Sequence, residues 1–297
     1  MKTLIAFITS GLVFFILACT QIVDVDVPIS QPKIVVNSLF NPDSVWVVSV
    51  STSRNILDNG SFGFPSGAEV TILDENEMLV SKLHQINEGD FGRYKGIFRS
   101  DEKPESGKLY TVRVIAPNNP IVTSKGKAPE AISITQLEID SLNDISFQVT
   151  FNDPVSQVNY YLFRVQMRVV REYSRYRSDI QQFEMVRDTS NIQIPLYESS
   201  TNLLGNNETL VITDIKFNGK LTTLKFYAYG SWYTEVLEAG LVTYTLSEEY
   251  YKYLTTLDLQ RSTDGDPFAQ PVKVFTNVNN GLGIFAGYST SYYPIKE

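Results

Sequence analysis

The sequence predicts an all-β protein with a single helix in its C-terminal region: an N-terminal immunoglobulin-like β-sandwich over residues 33–128, then a second β-rich domain over 129–297. Three observations lead there. Apolar and polar residues alternate through much of the chain, as in Leu109-Tyr110-Thr111-Val112-Arg113-Val114, the pattern of strands with one face buried. Turn clusters punctuate these runs, among them Asn41-Pro42-Asp43, Pro65-Ser66-Gly67 and Pro117-Asn118-Asn119-Pro120. The chain has 297 residues, with 17 Tyr and 17 Phe, more length than one sandwich needs and enough apolar material for two cores.

The first residues read as a secretory leader over 1–18. Lys2 supplies the positive charge, an apolar run follows from Leu4 to Leu17, and Ile16-Leu17-Ala18-Cys19 closes it. The run is shorter than the roughly 20 residues a spanning helix requires. A small residue before a cysteine, with aliphatic residues before that, is the pattern of a lipoprotein cleavage site. Cys19 is therefore the expected lipidation residue, anchoring the mature chain to membrane lipid. It is the only cysteine, so no intrachain disulfide can form despite export to an oxidising compartment. Residues 19–32 read as a short tether in which Val23, Val25 and Val27 alternate with Asp24 and Asp26.

In the first domain, strands are expected over 33–37, 45–51, 69–73, 80–84, 93–98, 109–116 and 122–125. Tyr110 opens a late strand after the Gly107 turn, the position of a tyrosine corner, whose hydroxyl ties a loop back to the backbone. The Ala128-Pro129-Glu130 segment marks the boundary. Beyond it, strands are expected over 132–139 and 145–151, followed by a long hairpin. Its first arm carries Tyr161, Phe163, Val165, Met167 and Val169 on one face and Tyr160, Leu162, Arg164, Gln166 and Arg168 on the other. The return arm is expected over 180–187. Further strands are expected over 193–197, 209–213, 216–217 with 221–229, and 272–276. A helix near 246–260 carries Leu246, Tyr250, Tyr253, Leu254 and Leu257 on one face, with Thr245 and Glu248 as a capping box.

The balance of 25 basic against 33 acidic residues leaves a net charge of −8, which argues against nucleic acid and against docking on anionic headgroups. His84 is the only histidine, so no histidine or histidine–cysteine metal site can be assembled, and an exposed strand residue is expected there. Asp74-Glu75-Asn76-Glu77 and Asp264-Gly265-Asp266 read as turns, without the ligand spacing of a calcium loop. Gly281-Leu282-Gly283-Ile284-Phe285-Ala286 has the letters of a dinucleotide fingerprint. With so little chain left after it, a turn or tightly packed strand is expected instead of the required helix. No cofactor is expected. The one basic and aromatic region, Arg164, Arg168, Arg171, Tyr173, Arg175 and Tyr176 on the long hairpin, is the expected partner surface. Arginine and tyrosine there suit carboxylates or sugar rings, unless Glu172, Asp179 and Glu184 simply balance a solvated face.

Several stretches together resemble a known family, the Bacteroidota outer-membrane lipoproteins of domain of unknown function 4249. They are the cysteine of the leader, Asp24-Val25-Asp26-Val27-Pro28, Pro32-Lys33-Ile34-Val35-Val36-Asn37 and Ala68-Glu69-Val70-Thr71-Ile72-Leu73-Asp74. Most specific are Asp266-Pro267-Phe268-Ala269-Gln270-Pro271-Val272 and Thr276-Asn277-Val278-Asn279-Asn280-Gly281-Leu282-Gly283-Ile284-Phe285. The resemblance implies an outer-membrane location, on the cell surface with the periplasmic face still open, and a role in nutrient uptake beside a TonB-dependent receptor. It implies no catalytic residues. The leading expectation is a non-catalytic accessory or ligand-binding lipoprotein. A carboxylate-dependent enzyme on glycans or peptides and a structural or adhesive surface protein stay open on sequence alone.

Overall fold

The computed structural model describes residues 31–55, 58, 60, 63–86, 96–141, 146–155, 157–194, 196–198, 211–227, 235–264 and 268–295. Among the described residues the protein is all-β apart from one helix and one 3-10 turn. Seven strands build the first core: β1 (Ile34–Phe40), β2 (Val47–Thr52), β3 (Glu69–Leu73), β4 (Leu79–Gln85), β5 (Ile97–Arg99), β6 (Leu109–Ile115) and β7 (Val122–Lys127). Nine follow: β8 (Ile134–Ser141), β9 (Ser146–Asn152), β10 (Tyr160–Arg177), β11 (Gln182–Ile194), β12 (Tyr197–Glu198), β13 (Val211–Thr213), β14 (Leu221–Tyr227), β15 (Glu235–Leu246) and β16 (Leu282–Ile295). The helix α1 (Glu248–Thr263) lies between the last two.

A 12-stranded sheet runs β11-β10-β15-β16-β1-β2-β5-β4-β3-β6-β7, with β13 also paired to β10. A second sheet, β12-β14-β9-β8, is separate from it. Two hydrophobic clusters result. The first gathers Val36, Trp46, Val48, Val70, Val112 and Phe285; the second lies between the sheets, with Phe147, Val149 and Phe226 meeting Phe163, Val165 and Met167. Phe163 and Phe226 approach to 4.9 Å between ring centres. Strand β16 serves both. Its first half runs parallel to β1, with Val35 opposite Leu282 and Phe40 opposite Gly287. Its second half runs antiparallel to β15, with Tyr288 opposite Leu246 and Ile295 opposite Ala239.

The Asn277-Val278-Asn279-Asn280 stretch closes the first core. The Asn277 amide donates to the carbonyls of Lys125 at 3.0 Å and Phe285 at 2.8 Å, and its oxygen accepts from the Phe285 N–H at 3.0 Å. Asn279 pairs with Thr123 by backbone bonds, and Asn280 donates to the Ile121 carbonyl. These side chains satisfy backbone groups that would otherwise be left unpaired where β7 meets β16. Gly283, at φ +108°, lies so close to Val36 that a Cβ would stand 2.1 Å from its carbonyl oxygen. The stretch that resembles a fingerprint is thus the tightly packed start of β16, entered through the turn at Asn280-Gly281, and the strand rather than a helix continues from it.

Where the chain passes from the first core to the second, its backbone is tied to the closing strands. Pro129 O accepts from the Ser106 and Ser289 hydroxyls, and Ile132 N donates to Thr245 Oγ1 at 3.2 Å. The Tyr293 hydroxyl accepts from Ile134 N at 3.0 Å and donates to Ile132 O at 3.2 Å. The tyrosine corner is present too: the buried Tyr110 hydroxyl accepts from the Glu105 N–H at 3.0 Å.

Several expected elements change. Residues 272–276 form no strand; they run beside the helix, where Phe275 N donates to Thr256 Oγ1 at 2.9 Å. Residues 214–216 form a 3-10 turn before β14 begins at Leu221. The cap of α1 is Ser247, whose hydroxyl accepts from Tyr250 N at 3.3 Å, because Thr245 is still within β15. No helix residue is fully buried. The helix instead covers the sheet through rings: Tyr251 stacks on Tyr160 at 4.3 Å, and Tyr250 meets Tyr288 at 5.7 Å. Burial beside these rings pushes the Tyr250 phenol up to about 12.

At the base of β10, two buried carboxylates staple loops. Asp153 accepts from the Tyr161 hydroxyl at 2.5 Å and from Gly219 N at 2.8 Å. Asp214 accepts from Asn159 N at 2.8 Å and from its side-chain amide at 3.2 Å, while its Oδ1 has no partner. Burial raises the Asp214 carboxyl above its ordinary value of 3.8, with the Asp153 charge adding to the rise and the Asn159 bonds opposing it. The folded state therefore binds this proton more tightly than the unfolded chain does. As pH falls from neutrality through the raised value toward 3.8, this group adds stability, the reverse of a salt-bridged aspartate. Denaturant melts of wild type and Asp214→Asn should accordingly differ with pH: wild type gains on the variant between neutral pH and about pH 4. A difference constant over that range would contradict the assignment.

Candidate ligand-binding face

Strand β10 alternates as expected. Tyr161, Phe163, Val165, Met167 and Val169 are buried in the second core, and the intervening residues point to the opposite face of the large sheet. Pairing sets what stands beside them. Across the sheet, Arg164 is opposite Val242 and then Tyr292, Gln166 is opposite Gln193 on one side and Gly240 on the other, and Arg168 lies between Asn191 and Glu238. Helix α1 closes one end of this face. Near its centre is a cleft of about 370 Å³ lined by Gln166, Met167, Arg168, Asn191, Glu238 and Tyr292.

Both arginines on this face are engaged by neighbouring side chains. Arg168 approaches Glu238 at 3.5 Å, and Arg164 donates to Gln193 Oε1 at 2.9 Å while its guanidinium lies 5.7 Å from the centre of the Tyr244 ring. Burial raises the Tyr244 phenol, with the Arg164 charge acting against the rise. The side-chain amides of Gln166 and Asn191 and the Tyr292 hydroxyl have no hydrogen-bond partner among the described residues. Tyr292 is 54% exposed. Its ring lies against Gly240, where a Cβ would come within 2.2 Å of the ring edge, so glycine is what lets the ring rest on the strand.

Arg164 and Arg168 are thus brought together on one face, while the other expected partner residues leave it. Past Val170, the last residue paired with β15, β10 and β11 pair only with each other among the described residues, from Arg171 opposite Asp188 to Arg177 opposite Gln182. Arg171 stands at the root of this ribbon, half-buried, with Nε unpartnered. Tyr173 and Arg175 share one side of it, and Tyr176 lies on the other, opposite Phe183 at 5.1 Å. Arg175 pairs with Glu184 at 2.8 Å, Arg177 with Asp179 and Glu184, and Arg187 with Glu172 and Glu235. These exposed pairs contribute little stability and leave no strongly basic patch. What stands out is apolar: Phe183 is 73% exposed, Met185 71% and Tyr176 52%.

A second cleft, of about 450 Å³, opens beside Ser247, with Lys127, Asn159, Tyr160, Glu248 and Glu249 in its wall. Its polar groups are largely committed within the protein. The Asn159 amide donates to Pro154 O, Gln157 O and Asp214, Glu248 pairs with Lys252 at 2.7 Å, and the Tyr160 ring is stacked on Tyr251. No group of three or more histidine, cysteine, aspartate or glutamate side chains placed to hold a metal occurs among the described residues. His84 is exposed near the end of β4, and the Asp74 carboxylate accepts from Asn76 N and Met78 N as a turn residue does. Gly265, Asp266 and Cys19 lie outside the described residues.

Residues 20–293 match the family described as Domain of unknown function (DUF4249). The chain belongs to this family. Asn277 and Gly283 lie within the matched region, and their structural role is to join β7, β16 and β1. No curated protein sequence matches the chain. Among solved structures, a DUF4785 family protein from Legionella pneumophila is similar at 10% identity and a TM-score of 0.24. That match covers 72% of this chain and 51% of the other, so the chain spans about half the length of that structure.

Proposed function

We propose that this DUF4249 protein is an outer-membrane lipoprotein, held through acylated Cys19, that acts without catalysis as an accessory or ligand-binding partner of a TonB-dependent uptake receptor. The observation that carries the reading is the β10–β11 ribbon. An isolated two-stranded ribbon is marginal by itself, and this one spends its exposed surface on Phe183, Met185 and Tyr176, the residue types enriched at the centres of protein interfaces. The registers of β1, β16, β15 and β10 put Ile34 and the ribbon tip at opposite ends of a common strand direction. At about 3.3 Å per residue that path is roughly 80 Å, an upper bound because strands twist. Pro32 and the start of β1 thus stand at the end remote from the ribbon tip, which suits a ribbon that reaches toward a partner.

The expected result of gentle extraction from crosslinked outer membranes is recovery of a TonB-dependent receptor with the wild-type chain. Phe183→Asp with Met185→Asp, two exposed changes that leave both cores intact, should remove the receptor from the eluate without lowering the melting temperature. Equal recovery of the receptor with that variant, or no receptor with wild type, would contradict the proposal.

A further inference from the structure

The central cleft on the outer face of β10, β15, β16 and β11 combines three properties. It offers a tyrosine ring held against the sheet by Gly240, planar amides at Gln166 and Asn191 with no protein partner among the described residues, and an Arg168–Glu238 pair whose charges offset each other. A ring surface receives the C–H face of a pyranose, and amide, carboxylate and guanidinium groups supply donors and acceptors in the planes where its hydroxyls project. The volume is within the range of small-ligand sites. An acyl chain would find few apolar walls, and an anion would have to displace Glu238 from Arg168. From this geometry we infer that the face binds a neutral saccharide, with Tyr292 as the stacking platform and Gln166, Asn191, Arg168 and Glu238 as its hydrogen-bonding rim. The inference rests on the ligand-binding side of the proposed function and is independent of receptor docking through the ribbon.

The test is calorimetric titration of the full-length lipoprotein, in a detergent without a sugar headgroup, with maltohexaose, cellohexaose, xylohexaose and mannohexaose, and with an oligogalacturonate as the acidic probe. At least one neutral oligosaccharide should bind. Tyr292→Ala should weaken it about tenfold or more, a change of about 1.4 kcal/mol. Gly240→Ala, which forces the ring off the strand while keeping the phenol, should weaken it in the same direction, and both variants should melt with wild type. No binding by any neutral probe, binding by the acidic probe alone, or affinity unchanged in both variants would overturn the inference. Because no receptor is present in the titration, such a failure is distinguishable from failure of the receptor association, which is read by co-purification.

Discussion

Cys19→Ala should move the protein from the membrane fraction to the soluble fraction and abolish its labelling by fatty acid. The physical basis is that anchoring by acyl chains scales at about 0.8 kcal/mol per buried methylene, so that two or more chains on one residue hold a protein stably. No helix among the described residues is long and apolar enough to cross a membrane, and Cys19 is the chain's only cysteine. The effect should be close to all-or-none, read by fractionation and by metabolic labelling with a fatty-acid analogue. A variant that still sediments with membranes after carbonate washing would show that another part of the chain carries the attachment.

Phe285→Ala should cost about 3–5 kcal/mol of stability, the range for removing a large aromatic from a closed core. Phe285 is fully buried, with Phe40 at 4.7 Å and Trp46 at 5.8 Å between ring centres. It belongs to the first core although it lies near the end of the chain, because β16 pairs with β1. The same strand continues into the second core, so the substitution strikes the element that both cores share. Urea melts followed by fluorescence and by far-UV circular dichroism give the shift, and coincident transitions would show the cores melting together. A loss below about 1 kcal/mol would mean that the packing of β16 against β1 is looser than described.

Much of this architecture was legible from alternation alone. The long β10 strand, its two faces, the Tyr110 corner and the turns at Asp74 and Gly281 follow from local pattern, because each is decided by residues within a few positions of one another. Strand β15 was not legible. Its stretch from Ala239 to Thr243 is buried on both faces, with Gly240 beneath the Tyr292 ring on one side and Ala239 and Leu241 in the second core on the other, which erases the period of two. The segment 272–276 shows the converse: alternation without a partner strand, spent on packing beside the helix.

The candidate face was half legible for the same reason. Arg164, Gln166 and Arg168 share a face by simple parity. Their neighbours Asn191, Glu238, Gly240 and Tyr292 come from three other strands whose register depends on pairings far apart in sequence. Arginine and tyrosine content marks the hairpin as a basic surface, whereas acidic partners on its two arms, in its turn and on β15 offset Arg168, Arg175, Arg177 and Arg187. The apolar residues of the return arm, Phe183 and Met185, are what distinguish the ribbon, and they become apparent only once the pairing shows that no further described strand pairs with this part of it, Phe183 touching Tyr176 within the ribbon itself.

The reading of this protein as a receptor's lipid-anchored partner stands or falls on what touches the ribbon in the membrane. A photo-crosslinking amino acid in place of Phe183, activated in living cells, should join the chain to a TonB-dependent receptor, and the adduct should vanish when Met185→Asp is added. Adducts to lipid alone, to other copies of this chain alone, or none above background would contradict the account.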